Sequence, residues 1–143
     1  MQGIKAWGRQ HPDKLPSLLD ENPSYVFFRE IAADPDRGID GPIGALGLPL
    51  AAGRAVAVDP RFLPLGAPLF LATTHPLSDA RLQRLVLAQD TGGAIRGALR
   101  ADFFWGSGDD AGRNAGRMNQ PGQIWLLWPK GVAPPASLKP GNR

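Results

Sequence analysis

Three aspartates are the residues of this chain whose positions suggest chemistry. Asp59 and Asp90 each end an apolar run typical of a strand, and Asp102 comes directly before the aromatic cluster at 103–105. An aspartate at the end of a strand often caps a turn by accepting hydrogen bonds from backbone N–H groups. For Asp59 and Asp90, this structural interpretation and a functional one both stay open.

Asp102 stands in a different setting, because aromatic side chains follow it where a turn-capping carboxylate has little use. Apolar surroundings raise the pKa of an aspartate by desolvation, and a second carboxylate nearby raises it further. A carboxyl group that stays protonated near neutral pH can donate its proton to a glycosidic oxygen. Asp102 is therefore a candidate general acid, and we expect it to lie in nonpolar surroundings.

Two further groups of residues would suit a sugar-binding site. The glycine pair Gly92 and Gly93 follows the second aspartate, where glycine favours a turn and lets a ligand approach the backbone closely. Aromatic side chains can stack on sugar rings, although most of them pack in cores. We expect Gly92, Gly93 and the aromatic Tyr25 to contact substrate.

Other common catalytic and metal sites are missing from the sequence. His11 and His75, the two histidines, lie beside prolines and lack the glutamate spacing of a zinc motif. The sequence contains neither a Gly-x-Ser-x-Gly nucleophile motif nor a GxxxxGK phosphate loop. Without cysteine, it has no disulfide and no thiolate metal ligand. We predict neither a metal nor a cofactor.

Composition limits the classes of fold and partner. The chain has 143 residues, of which 43% are apolar and 20% charged, in the range of a single globular domain. Its 18 glycines and 15 prolines are interleaved with apolar runs, which is typical of a loop-rich β fold. The net charge of +3 is spread along the sequence. A nucleic-acid partner is therefore not expected, whereas an acidic polymer fits.

Membrane and export signals are also missing from the sequence. No apolar stretch is long enough to span a bilayer, so we expect no integral membrane segment in this chain. The N-terminal residues lack the apolar core of a signal peptide.

The elements that position the aspartates are predicted to be mainly strands. Composition and turn signals predict strands at 24–30, 53–60, 69–71, 85–88 and 123–129. Apolar spacing and helix-terminus signals predict helices at 1–10, at about 13–19 and at 108–118. Residues 94–106 fit a helical turn or another strand. This pattern favours a mainly β fold, a small barrel or sandwich with short helical insertions.

Several ordered motifs together resemble a known family. They are AVAVDPRFLPLGAPLF at 55–70, LVLAQDTGGAIRG at 85–97, and ADFFWGSGDDAGRNAGRMNQPGQIWLL at 101–127. These stretches resemble the C-terminal 3D domain of the membrane-bound lytic murein transglycosylase A (MltA) family, a double-psi β-barrel named for three shared aspartates. Upstream, MQGIKAW and NPSYVFFRE also resemble this family, so the resemblance covers about residues 1–130.

The resemblance implies a division of the chain. Residues 1–38 would be a helical segment and strand from the MltA-type region preceding the barrel. Residues 39–130 would form the 3D domain, and residues 131–143 a flexible tail. Full enzymes of this family have a longer N-terminal portion and bind glycan in a groove between two domains, at the periplasmic face of the outer membrane. We therefore expect this chain to be the C-terminal part of such an enzyme.

The resemblance also implies an activity. The family cleaves the β-1,4 bond between N-acetylmuramic acid and N-acetylglucosamine in peptidoglycan and leaves a 1,6-anhydro ring, without a cofactor. By the match of motifs, Asp102 is the catalytic acid, Asp90 supports it, and Asp59 has a supporting or structural role. The implied partners are the glycan strands of peptidoglycan.

Two other functions stay open. The barrel could be a non-catalytic glycan-binding module in which the aspartates are structural. It could also serve an ordinary hydrolase in which Asp90 activates water, which requires carboxyl groups far enough apart to seat that water.

Overall fold

The computed structural model describes residues 2–24, 27, 30 and 41–134. The chain forms two compact units, Met1–Asp34 and Pro35–Arg143. The segment boundaries at 38/39 and 130/131 stay predictions. Within the described residues, no helix has the length and apolar character needed to cross a membrane.

The described part of the first unit contains two short helices. Helix α1 spans Gln2–Gln10 and α2 spans Leu15–Asp20, with a 3-10 turn at Pro12–Lys14 between them. The break follows His11 because proline lacks the backbone N–H that a continuing helix needs. Both helices confirm the prediction for this region. The strand predicted at 24–30 falls largely outside the described residues, as does Tyr25.

The second unit is built on a five-stranded sheet, which confirms the prediction of a mainly β fold. In chain order the strands are β1 (Ala55–Val58), β2 (Pro68–Thr74), β3 (Arg81–Asp90), β4 (Ala101–Phe103) and β5 (Gln123–Leu126). They lie in the order β4-β1-β3-β2-β5, with β1 and β3 parallel and the other neighbouring pairs antiparallel. Helix α3 (Asp109–Ala115) lies between β4 and β5 in the chain.

One face of the sheet carries the core, because alternate residues of each strand point the same way. Its buried side chains are Val56, Val58, Leu63, Leu69, Leu71, Leu82, Val86, Ala88 and Phe103. In the turn before β2, Gly66 adopts a φ of 85°, which favours glycine. The N–H of Gly66 donates to the carbonyl of Ala88 at 2.7 Å, which ties this turn to β3.

The segment that the sequence left open, residues 94–106, contains a turn followed by a strand. Ile95 N–H donates to the carbonyl of Gly92 at 3.0 Å, which closes the turn expected at the glycine pair. In β4, Ala101 and Phe103 pack on the core, so alternation turns Asp102 to the opposite face. Phe103 therefore anchors the strand that presents Asp102.

A bulge at the end of β3 sets the direction of Asp90. Val56 pairs with Ala88, but the next residue, Ala57, pairs with Asp90 rather than with Gln89. In a regular strand, Ala88 and Asp90 would point to the same face, which here is the core. The extra residue lets Asp90 face away from the core.

Candidate active site

Two of the three aspartates lie in one row across the sheet. Ala57 on β1 pairs with Asp102 on β4 on one side and with Asp90 on β3 on the other. Residues directly opposite one another on paired strands point to the same face. The Asp90 and Asp102 backbones are two strand spacings apart, roughly 10 Å. Ala57, with its small side chain, leaves space between them.

A cleft of about 190 Å³ occupies this space. Asp90 and Asp102 both line it, with Ala57 between them in the sheet. The rest of the lining is apolar and consists of Leu50, Ala55, Val56, Phe103 and Phe104. The structure thus brings together the acid and the companion that the sequence predicts, on either side of one small apolar cleft.

The prediction that Asp102 lies in nonpolar surroundings is correct on the side of the cleft but wrong on the opposite side. Its side chain is 48% exposed, and Arg100 donates Nε–H to Oδ1 at 2.9 Å and Nη2–H to Oδ2 at 3.1 Å. Both carboxylate oxygens are therefore acceptors for one guanidinium.

Arg100 is a site residue that sequence reasoning missed. Besides Asp102, it donates Nη1–H to the carbonyl of Ala94 at 2.9 Å, which fixes the guanidinium against the preceding turn. Hydrogen bonding to Asp102, together with its charge, raises the pKa of Arg100 above its usual value. The signal was present in the sequence, because residues two apart in an extended segment share a side of the strand.

Asp90 also makes a structural contact. Its Oδ1 accepts a hydrogen bond from the Ala45 N–H at 3.0 Å, which ties the loop at 41–50 to the end of β3. The other oxygen has no hydrogen-bond partner within the described part of the chain. Asp90 therefore both caps a loop and faces the cleft, so the two interpretations of this residue are compatible.

Asp59 is buried, with 1% of its side chain exposed. Its carboxylate accepts three side-chain hydrogen bonds from Arg61, the shortest at 2.6 Å, and backbone hydrogen bonds from Arg61 and from Gly97 at 2.9 Å. These donors hold the pKa of Asp59 well below its usual range. The Gly97 contact joins the end of β1 to the loop that leads to Asp102.

A second, larger cavity of about 1000 Å³ lies on the other side of Asp102. One wall is the loop at 96–100 with its two arginines, and the other is formed by Ala115, Met118, Asn119 and Gln120. Trp105 also lines this cavity and donates its indole N–H to the Met118 sulfur at 3.3 Å. Asp102 therefore separates a small apolar cleft from a large cavity with basic side chains.

Gly92 and Gly93 lie outside both cavities, and Tyr25 lies outside the described residues. Neither Gly92 nor Gly93 lines the cleft or the larger cavity, and neither has a positive φ. The positive φ in this loop is 109° at Gly97. Contacts of Gly92, Gly93 and Tyr25 with substrate stay predictions. Over the described residues, no group of three or more histidine, aspartate or glutamate side chains could hold a metal ion.

Family comparisons cover most of the chain. The 3D domain family matches residues 54–128, just over half of the sequence, and the family described as MltA specific insert domain matches residues 1–29. The relative "Membrane-bound lytic murein transglycosylase A" of Escherichia coli (strain K12) is 36% identical over 135 residues, covering 89% of this chain and 34% of that protein. The chain thus spans about a third of the length of the curated relatives it matches.

Solved structures agree with the sequence comparisons. MltA from Neisseria gonorrhoeae, in a monoclinic form, is 52% identical with a TM-score of 0.81, over 93% of this chain and 33% of that one. E. coli MltA with bound chitohexaose is 31% identical with a TM-score of 0.72, over 86% and 37% of the two chains. The chain belongs to the 3D domain family, in the form found in the membrane-bound lytic murein transglycosylase A (MltA) proteins.

Proposed function

We propose that this chain carries the catalytic face of a peptidoglycan lytic transglycosylase, with Asp102 as the acid and base. The observation that carries the proposal is the row of Asp102, Ala57 and Asp90 over an apolar cleft. The relatives named lytic murein transglycosylase A support the reaction class. The chitohexaose bound to E. coli MltA supports glycan strands as the partner class.

In the proposed reaction Asp102 acts twice. As the acid, it transfers its proton to the glycosidic oxygen while the bond from that oxygen to C1 of N-acetylmuramic acid breaks. The C6 hydroxyl of the same sugar then attacks C1, and its proton passes to the Asp102 carboxylate. The product is a 1,6-anhydro ring, no water is consumed, and the acid is regenerated. An intramolecular nucleophile has a high effective concentration, so no second carboxylate is needed to activate water.

Arg100 sets a condition on this mechanism. The contact between Arg100 and Asp102 places two donors on the carboxylate, which suits the anionic form that accepts the C6 proton. For the first step, Asp102 must take up a proton beside this guanidinium. We propose that glycan entering the apolar cleft excludes water from the carboxyl group and so favours its protonated form.

The same proposal extends to fold and location. We propose that the sheet is part of a double-psi β-barrel and that the whole protein acts at the periplasmic face of the outer membrane. The support is the 3D domain match and the "membrane-bound" name of the relatives.

The proposed function is tested by digesting purified peptidoglycan and weighing the soluble products. Anhydro products are lighter than reducing-end products by one water molecule, so mass spectrometry separates the two reactions. We expect anhydro products from the native chain and from Asp79→Asn, which changes an exposed turn aspartate. Loss of product with Asp102→Asn is expected, and an unchanged rate in that variant would falsify the assignment.

A second candidate is a non-catalytic glycan-binding module. It is favoured by the contact between Arg100 and Asp102, in which one guanidinium binds both oxygens of the candidate catalytic carboxylate. Retention of the chain on insoluble peptidoglycan, without release of soluble sugar, would select this function. Reducing-end products alone would indicate hydrolysis.

A further inference from the structure

The larger cavity contains an arginine that the proposed reaction does not use. Arg96 lines this cavity, and its side chain is exposed. Its Nη1 donates to the carbonyls of Gly92 and Ile95 at 3.4 and 3.3 Å. No carboxylate among the described residues pairs with it. These long contacts orient one nitrogen and leave Nη2 and Nε available to a ligand.

The charges around the cavity are not balanced. Among the described residues that line it, Arg96 and Arg100 are the two cationic side chains and Asp102 is the one anionic side chain. Arg100 is already committed to Asp102 through two hydrogen bonds. The cavity therefore keeps one unpaired positive charge, and a planar guanidinium binds a carboxylate through two parallel hydrogen bonds.

The position of the cavity relates this charge to the substrate. Because Asp102 lines both the cleft and the cavity, a glycan cut at Asp102 must extend into or past the cavity. The opposite wall offers the amide side chains of Asn119 and Gln120, which suit acetamido or peptide groups. A volume of about 1000 Å³ exceeds what one sugar ring needs.

We infer that Arg96 binds a carboxylate on the muramic acid side of the glycan, so that this cavity selects acidic strands over neutral ones. The inference rests on the proposed function for the identity of the glycan. The carboxylate has two possible sources. In bare strands it is the lactyl group of N-acetylmuramic acid, and in substituted strands it belongs to the peptide attached there.

Calorimetric titration tests this inference without turnover. The reference chain carries Asp102→Asn to prevent cleavage and Arg100→Gln, because Arg100 would otherwise lose its carboxylate partner and offer a second guanidinium to the strand. The test chain adds Arg96→Gln, and the matched control adds Arg81→Gln, which changes an exposed arginine at the start of β3. Each chain is titrated with chitohexaose, a bare muramic acid strand of the same length, and a peptide-substituted strand.

We expect the reference chain to bind an acidic strand more tightly than chitohexaose, with the preference shrinking as salt is added. Arg96→Gln should weaken binding of that acidic strand about fivefold, or about 1 kcal/mol, and leave chitohexaose unchanged. The acidic ligand that loses affinity identifies the source of the carboxylate. Equal binding of acidic and neutral strands by the reference chain, or equal affinities for Arg96→Gln and Arg81→Gln, would overturn the inference.

The inference and the proposed function fail in different ways. If the native chain releases no anhydro sugar but the acid preference depends on Arg96, the function is wrong and the binding site stands. If the chain cleaves peptidoglycan but Arg96→Gln binds like the control, the specificity inference alone is wrong.

Discussion

Two arginine–aspartate pairs of the same spacing perform different tasks in this chain. Asp59 with Arg61, and Arg100 with Asp102, each have one residue between the partners and form multiple hydrogen bonds. The carboxylate of Asp59 is 1% exposed, whereas that of Asp102 is 48% exposed. Burial, and not the pairing itself, therefore decides whether a ligand can reach the carboxylate.

Acid should destabilise the fold through Asp59. Its pKa is lower in the folded chain than in the unfolded one, because Arg61 and Gly97 donate hydrogen bonds to the carboxylate. The stabilisation is therefore complete above about pH 4 and is lost as the pH falls towards the folded-state pKa. We expect Asp59→Asn to lower Tm by about 5–10 °C at neutral pH, and its Tm to vary less than the native Tm between pH 4 and 2. Circular dichroism melts across this pH range measure both effects.

The control for this prediction is Arg100→Gln, which breaks the exposed pair. Exposed ion pairs contribute little to stability, so Tm should change by less than about 2 °C. Equal losses in the two variants would mean that burial does not distinguish the pairs.

At the scale of elements, a bulge and a short edge strand create the candidate site. The bulge in β3 turns Asp90 away from the core, and Phe103 anchors β4 so that Asp102 faces the same way. β1 lies between these strands and contributes Ala57, which keeps the cleft open. The site therefore depends on three strands and on the small size of one side chain.

Filling the cleft should block glycan while sparing the fold. Ala57→Leu adds three carbon atoms on the side of the sheet that faces the cleft, so we expect cleavage of peptidoglycan to fall at least about tenfold. Ala72→Leu makes the same change at another half-buried strand position, on β2, and should cleave like the native chain. Product release per mole of folded protein is the measurement. Equal activity of both variants would contradict the placement of substrate in the cleft.

The conformation of the loop between β3 and β4 should require glycine at position 97 but not at position 93. Neither residue has an atom within 4 Å of an added Cβ, but only Gly97 has a positive φ. Gly97→Ala should therefore cost about 1 kcal/mol or more. Gly93→Ala should be neutral or slightly stabilising. Urea unfolding of the two variants compares these costs directly, and equal midpoints would contradict the assignment.

The sequence predicts the elements better than their contacts. β1, β2, β3 and β5 follow apolar runs, and the turn at the glycine pair follows local chemistry. The aromatic run after Asp102 suggested nonpolar surroundings, but alternation buries Phe103 and turns Asp102 towards Arg100. The bulge at Gln89 has no local signal, because it exists only relative to the register of β1. Pairings between segments that are distant in the chain could therefore not be predicted from the sequence.

Within the second unit, the face of the sheet opposite the core carries exposed apolar side chains. Phe70 pairs with Leu85 on one side and with Trp125 on the other, at a ring distance of 5.8 Å. Leu85 and Trp125 are 49% and 46% exposed, and Leu87 and Leu127 extend this patch. An apolar patch of this kind on a sheet favours self-association.

Charge placed in the middle of this patch should therefore reduce self-association. Leu85→Lys should lower the apparent molecular mass at high protein concentration and weaken binding of an apolar dye. Leu77→Lys alters an equally exposed leucine in a turn and should change neither quantity. Sedimentation velocity and dye fluorescence provide the measurements, and identical behaviour of the two variants would contradict the role of the patch.

The place of β1 between β3 and β4 also affects the order of folding. The turn at 75–80 joins β2 directly to β3, so this hairpin closes a short loop. The row from Asp90 to Asp102 through Ala57 forms only when segments distant in the chain meet. Closing long loops is slow and costs more entropy. We expect the hairpin to form early and the alignment of the two aspartates to form among the last features. Mild denaturation should therefore abolish cleavage of peptidoglycan before it disrupts the β2–β3 pairing.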